Sequence, residues 1–140
     1  NYYIFRIVFD IYIHIYKKVM INKPKTIFCD IDGTLCKYPY SAGSNYQFDS
    51  EMIPLDGTLE KLWEWDKAGH MIILTTGRKE GMRKSTENQL RNAGVLYDRL
   101  IMGIGGGARV LINDLKPDRD GDTAIAINLK RDKGVTDVKI

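Results

Sequence analysis

The sequence predicts an α/β fold: a three-layer, Rossmann-like domain built on a parallel sheet of about five strands. Two observations predict it. After Met20, short and nearly all-apolar runs alternate with segments of helical periodicity, and apolar runs of that kind suit strands covered by helices on both faces. Both helical segments stop at a glycine, Gly69 and Gly94, the residue that most readily closes a helix in the left-handed conformation. The chain has 140 residues, 44% hydrophobic and 28% charged, which suits one globular domain with one core over residues 20–140.

The elements follow in order. Residues 26–30 (Thr-Ile-Phe-Cys-Asp) read as a short buried strand ending in a polar turn. Residues 36–54 contain Pro39, Ser41, Gly43, Ser44, Asn45 and Pro54, so they read as a loop or flap. Residues 57–68 place Leu59, Leu62, Trp63 and, less regularly, Trp65 at helical spacing. Residues 70–75 form a second strand. Residues 79–93 form a second helix with Met82, Thr86, Leu90 and Ala93 on one face. Residues 98–102 are a third strand, Gly103, Gly105, Gly106 and Gly107 a flexible connection, 109–113 a fourth strand and 123–127 a fifth. No repeat and no second domain are visible. Residues 36–54 are too few for a folded cap over the sheet edge.

The first nineteen residues stand apart. They are rich in Asn, Tyr, Ile, Phe and Lys, the types that AT-rich codons encode, and lack Gly, Ala and Pro. The expectation is translated upstream DNA, with Met20 as the start. Arg6, Asp10 and His14 interrupt the run, so it falls short of the ~20 apolar residues that a membrane span needs. A membrane partner is not expected, although a surface-lying amphipathic helix fits the four-residue spacing of those polar groups.

The net charge is +3, with Lys and Arg spread along the chain. That argues against a nucleic-acid partner, which usually leaves a basic stripe, and suits a small anionic ligand. Cys29 and Cys36 show no metal-type spacing and read as reduced thiols of a cytoplasmic protein. His70 reads as structural, Trp63 and Trp65 as helix packing, and Lys130-Arg131-Asp132-Lys133 as a solvated terminus.

In open parallel sheets, ligands bind at the carboxyl ends of the strands. The polar residues there are Asp30 and Asp32 after the first strand, Thr75 and Thr76 after the second, and Asn113 and Asp114 after the fourth. Asp30 and Asp32, two apart, leave the strand on one side. Close carboxylates repel unless a cation or a shared proton relieves them. Asp114 would make a third acid, and three carboxylates suit Mg²⁺. An aspartate can also attack phosphorus and form an acyl-phosphate, with a second acid protonating the leaving oxygen and then activating water.

With Ile27-Phe28-Cys29-Asp30-Ile31-Asp32-Gly33-Thr34-Leu35, an apolar strand followed by D-x-D-G-T, the chain resembles the haloacid dehalogenase-like phosphohydrolase superfamily from about Lys25 to Leu129. The resemblance implies a small phosphatase without a cap. It implies Asp30 as nucleophile and Asp32 as general acid/base with its main-chain carbonyl on Mg²⁺. Met71-Ile72-Ile73-Leu74-Thr75-Thr76-Gly77-Arg78 matches the second motif and puts phosphate binding on Thr76, with Thr75 one residue away in register and Gly77 beside it. Arg78 touches substrate or pairs with an acid. The third motif needs a Lys or Arg. Arg109 is the choice, with Lys84 and Lys116 as alternatives. Val110-Leu111-Ile112-Asn113-Asp114 matches the fourth motif with its first acid replaced, so Asp114 would hold Mg²⁺ and Asn113 would hydrogen-bond around it. The expected substrate is a sugar phosphate or similar small metabolite. A nucleotide or polynucleotide end is the second enzymatic reading. A non-catalytic phosphate-binding domain is a reading of another class.

Overall fold

The structure, a computed structural model, describes residues 2–21, 23–39, 50–118 and 121–140. The chain divides into two compact units. One comprises Asn1–Pro24 with Leu111–Ile125, the other Lys25–Val110 with Ala126–Ile140.

The larger unit holds a parallel sheet. Strand β1 is Thr26–Asp30, helix α2 is Thr58–Lys67, strand β2 is Met71–Thr75, a 3₁₀ turn spans Glu80–Met82, helix α3 is Arg83–Asn92 and strand β3 is Arg99–Ile101. The sheet order is β1-β2-β3. In register, Asp30 sits opposite Thr75, and Thr75 opposite Ile101. β-Branched and aromatic side chains favour the extended runs.

Both helices end as the sequence predicts, and for the same reason. Gly69 and Gly94 adopt φ of 82° and 72°. The amides of Gly69 and His70 donate to Asp66 and Trp65, and those of Gly94 and Val95 to Arg91 and Leu90. This is the paired closure that satisfies a helix's last carbonyls. α2 buries Thr58, Leu62 and Trp65, and α3 buries Thr86 and Leu90. Trp63 is 58% exposed with Lys67 over its ring, so only Trp65 of the tryptophan pair packs inward. The core joins Cys29, Ile31 and Leu35 to Leu62, Leu74, Leu90 and Val135.

Three expectations need correction. Residues 109–113 and 123–127 form no strand, and the described sheet has three strands rather than about five. Val110 and Ile112 are 82% and 91% exposed. A five-residue apolar run names no ladder partner, and without one its amides and carbonyls have no strand to pair with. Nor is every strand covered on both faces. β1 lies at the edge of the sheet with Phe28 exposed. Finally, Lys130-Arg131-Asp132-Lys133 is not wholly solvated: Lys130, Arg131 and Lys133 are exposed, but Asp132 is half-buried and bonds to the loop after β1, and Val135 just beyond is fully buried.

In the smaller unit, helix α1 spans Tyr2–Ile21. Ile4, Phe5, Val8 and Phe9 on it are exposed, with the Phe5 and Phe9 rings stacked. Among the described residues no helix is long and apolar enough to cross a membrane.

Candidate active site

The site grows from the turn after β1. The carbonyl of Ile31 accepts from the amides of Thr34, Leu35 and Cys36, and Gly33 N–H donates to the Cys36 carbonyl. Gly33 makes this turn possible with φ of 86°. A β-carbon there would also come within 2.9 Å of Arg131 Cγ. Gly33→Ala should therefore cost about 1–2 kcal/mol from the left-handed backbone alone. Urea unfolding checks it, and an unchanged midpoint would show that the turn relaxes freely.

Asp30 ends β1, half-buried, and accepts a hydrogen bond from the Thr34 hydroxyl at 3.2 Å. Burial holds its carboxyl above the usual carboxylate range. The nearby charge of Asp32 adds to that rise, while Thr34 and the charge of Arg109 oppose it. Asp32 is turned to a buried partner. Arg78 Nε and Nη2 reach its two oxygens at 2.8 and 2.7 Å. The other guanidinium nitrogen, Nη1, donates to Gln89 Oε1 at 2.7 Å and Thr86 Oγ1 at 3.4 Å. Gln89 in turn donates to the Ser50 carbonyl at 2.6 Å. Arg78 therefore pairs with an acid. Thr86 and Gln89, three apart on α3, face it together; that spacing is the signal from which Gln89 could have been read.

The hydroxyl-bearing pair after β2 divides its duties. Thr75 lies opposite Asp30 in the ladder, so both side chains leave the same face of the sheet. Thr76 is buried, and its hydroxyl accepts from the Arg78 amide at 3.1 Å. Gly77 is exposed beside it, with the Gly105 carbonyl 3.4 Å from where a β-carbon would stand. Arg109, from the glycine-rich stretch, is close enough for its charge to lower the Asp30 pKa, and it donates to the Gly107 carbonyl.

The fourth predicted contribution belongs to the other unit. Asp114 belongs to the smaller unit, exposed, with Lys116 Nζ at 2.6 and 2.8 Å from its oxygens. That bond lowers its pKa. Asn113 donates to the Thr123 carbonyl and accepts from the Asp114 amide. Among the described residues no group of three or more His, Cys, Asp or Glu is drawn together to hold a metal ion. The strand that was to carry Asp114 to the sheet edge is not formed.

Around these groups, Cys29 and Cys36 are free, buried thiols, each pushed up to about 12, chiefly by burial. His70 Nδ1 accepts the Lys25 amide, a structural use. On the flap, Tyr40, Tyr46 and Phe48 lie outside the described residues. Tyr38 is described, with its amide donating to Asp132 Oδ1 at 2.7 Å and its ring 3.9 Å from the Arg131 guanidinium carbon. The sequence reading missed Arg131 and Asp132, because nothing local marks a residue whose partner is 94 positions away.

What the donors suit can be judged from their chemistry. Asp30 and the Asp32 main-chain carbonyl offer hard oxygens of the kind Mg²⁺ takes. A carboxylate disfavoured by burial and by a neighbouring acid gains from a cation. The residues present therefore fit such an ion in kind.

No protein-family model and no curated protein matches the chain. Solved structures do. A chain in the structure of the Pnkp1/Rnl/Hen1 complex is 28% identical over 62% of this chain, with a TM-score of 0.51. A chain of the Pnkp1/Rnl/Hen1 RNA repair complex is 26% identical over 69%, with a TM-score of 0.50. The match spans 30% and 28% of those two longer chains. A D,D-heptose 1,7-bisphosphate phosphatase from B. bronchiseptica, complexed with magnesium and phosphate, is 19% identical over 59% of this chain and 51% of its own, with a TM-score of 0.43, too weak a likeness to carry an argument.

Proposed function

We propose that this chain, whose fold is that of the haloacid dehalogenase-like phosphatases, is a Mg²⁺-dependent phosphomonoesterase working through an aspartyl-phosphate on Asp30. The observation that carries this reading is Asp30 at the carboxyl end of a parallel strand, in register with Thr75, with Asp32 two residues on. An Asp30 oxygen forms a bond to phosphorus as the ester P–O bond breaks. The departing oxygen takes a proton from Asp32, which must first turn at least one oxygen away from the Arg78 guanidinium to carry it. Water then attacks the acyl-phosphate, gives a proton to Asp32, and inorganic phosphate leaves with Asp30 regenerated. Thr76 or Thr75, the Gly77 amide and Arg109 hold the phosphoryl oxygens. Asp30, the Asp32 carbonyl and Asp114 are the proposed Mg²⁺ ligands, Asn113 their outer hydrogen-bonding partner, and Asp114 enters this set by its place in the sequence alone. When bound, the ion neutralises charge on the transferring group and aligns it.

The preferred substrate is a sugar phosphate or similar small metabolite, on the sequence resemblance. A polynucleotide end is a second reading, favoured by the likeness to chains of an RNA repair complex. Two free buried thiols fit a reducing, cytoplasmic setting. Hydrolysis of an aryl phosphate, with Mg²⁺ and with chelator, tests the reading. Turnover with the ion and its loss on chelation are expected. Absence of turnover by the wild type would favour the phosphate-binding domain instead. Rates on sugar phosphates against phosphate-terminated oligonucleotides then separate the two substrates.

A further inference from the structure

We infer that Asp132 is a positioning residue for the Asp30–Asp32 loop, acting through a two-point clasp on Gly33 and Tyr38; the catalytic half of this inference rests on the proposed phosphatase reading. The Asp132 amide donates to the Gly33 carbonyl at 2.8 Å. Its carboxylate Oδ1 accepts from the Tyr38 amide at 2.7 Å. The two bonds grip the chain just after Asp32 and again where it leaves the turn toward the flap. Between these points the turn closes on itself through the Ile31 carbonyl, so fixing its rim fixes the direction of the two acids at its root.

Three independent features show that this contact is built rather than incidental. Asp132 has φ of 61°, the one positive value at a non-glycine among the described residues, and such a conformation persists where the surroundings over-determine it. Arg131 lies across the Tyr38 ring and so close to Gly33 that a β-carbon would meet it at 2.9 Å. Beyond the clasp, Val135 is 1% exposed in the core that holds Ile31 and Leu35, and the Thr136 hydroxyl donates to the Asp56 carbonyl at 2.9 Å. The segment is anchored on its far side, so Asp132 meets the loop from a fixed base. Catalytic groups need placement to within about 0.5 Å, and a two-bond clasp from an anchored segment supplies that restraint.

Three substitutions in the full chain test it. Asp132→Ala removes the acceptor and strains the backbone. Asp132→Gly removes the acceptor but suits the backbone. Asp132→Asn keeps an acceptor oxygen and tolerates the left-handed conformation. With aryl phosphate and Mg²⁺, the Ala and Gly variants should lose about 10- to 100-fold in kcat, with KM within about twofold and the folded fraction unchanged. Asn should restore most of the loss. Hydrogen exchange at the Tyr38 amide should quicken with Ala and Gly and not with Asn. Wild-type kcat in the Gly variant, activity loss that merely follows the folded fraction, or unaltered Tyr38 exchange would each overturn the inference. A wild type without turnover would end the phosphatase reading and the catalytic role with it, while Tyr38 exchange would still decide the clasp.

Discussion

Asp30→Asn should lower phosphatase turnover by about 10³-fold or more while leaving the protein folded, because the amide is a poor nucleophile at phosphorus and nearly the same shape. The stability consequence has a definite sign. Burial raises the Asp30 pKa above its ordinary value. The folded state then binds more protons than the unfolded state in the window between the two, so stability falls as pH rises through it. The Asn variant lacks this group and should not show that fall. Urea unfolding of both proteins from pH 4 upward should show the Asn variant gaining on the wild type as pH rises. Retention of turnover in the variant would remove Asp30 from the chemistry and with it the acyl-phosphate route.

Arg78→Ala should have the largest effect on stability. The Arg78 side chain is 6% exposed and that of Asp32 16%. Removing the guanidinium leaves a mostly buried carboxylate without its two donors, and Gln89 without the donor to Oε1. Breaking a buried pair from one side costs about 3–5 kcal/mol. Arg78→Lys should recover only part of this, since an ammonium cannot reproduce a two-pronged bond. Adding Asp32→Asn to Arg78→Ala should return some of the loss, because the orphaned charge is then gone. Unfolding free energies for the wild type, Arg78→Ala, Asp32→Asn and the double variant check the cycle. Simple additivity would mean that the two side chains contribute independently despite their contact.

The same pair shows where sequence reading reaches and where it stops. Asp30, Asp32, Thr75, Thr76 and the two helix-closing glycines are legible because their patterns are local: an apolar run ending in acids, a run ending in hydroxyls, a glycine after helical spacing. Elementary backbone chemistry then dictates β1, β2, α2, α3 and the parallel order. Whether Arg78 touches substrate or pairs with an acid is open in the sequence, because the pairing with Asp32 depends on α3 bringing Thr86 and Gln89 to the same guanidinium. The fourth and fifth strands were misread for a related reason. Apolarity over 109–113 and 123–127 is local, but a strand is a pairing, and the described structure gives those segments none.

By itself, then, the sequence determined the D-x-D-G-T turn, the hydroxyls at the end of β2 and the sheet that sets them side by side, since each follows from residue type and near-neighbour spacing. Only the tertiary structure decided that a buried arginine orients Asp32, that Asp132 clasps the turn from 94 residues beyond Tyr38, and that Asp114 rests on Lys116. The first two are contacts between residues 46 and 94 positions apart, separations that carry no periodic signal. They form because folding closes long loops around a shared core, and no local pattern records which loop will close on which.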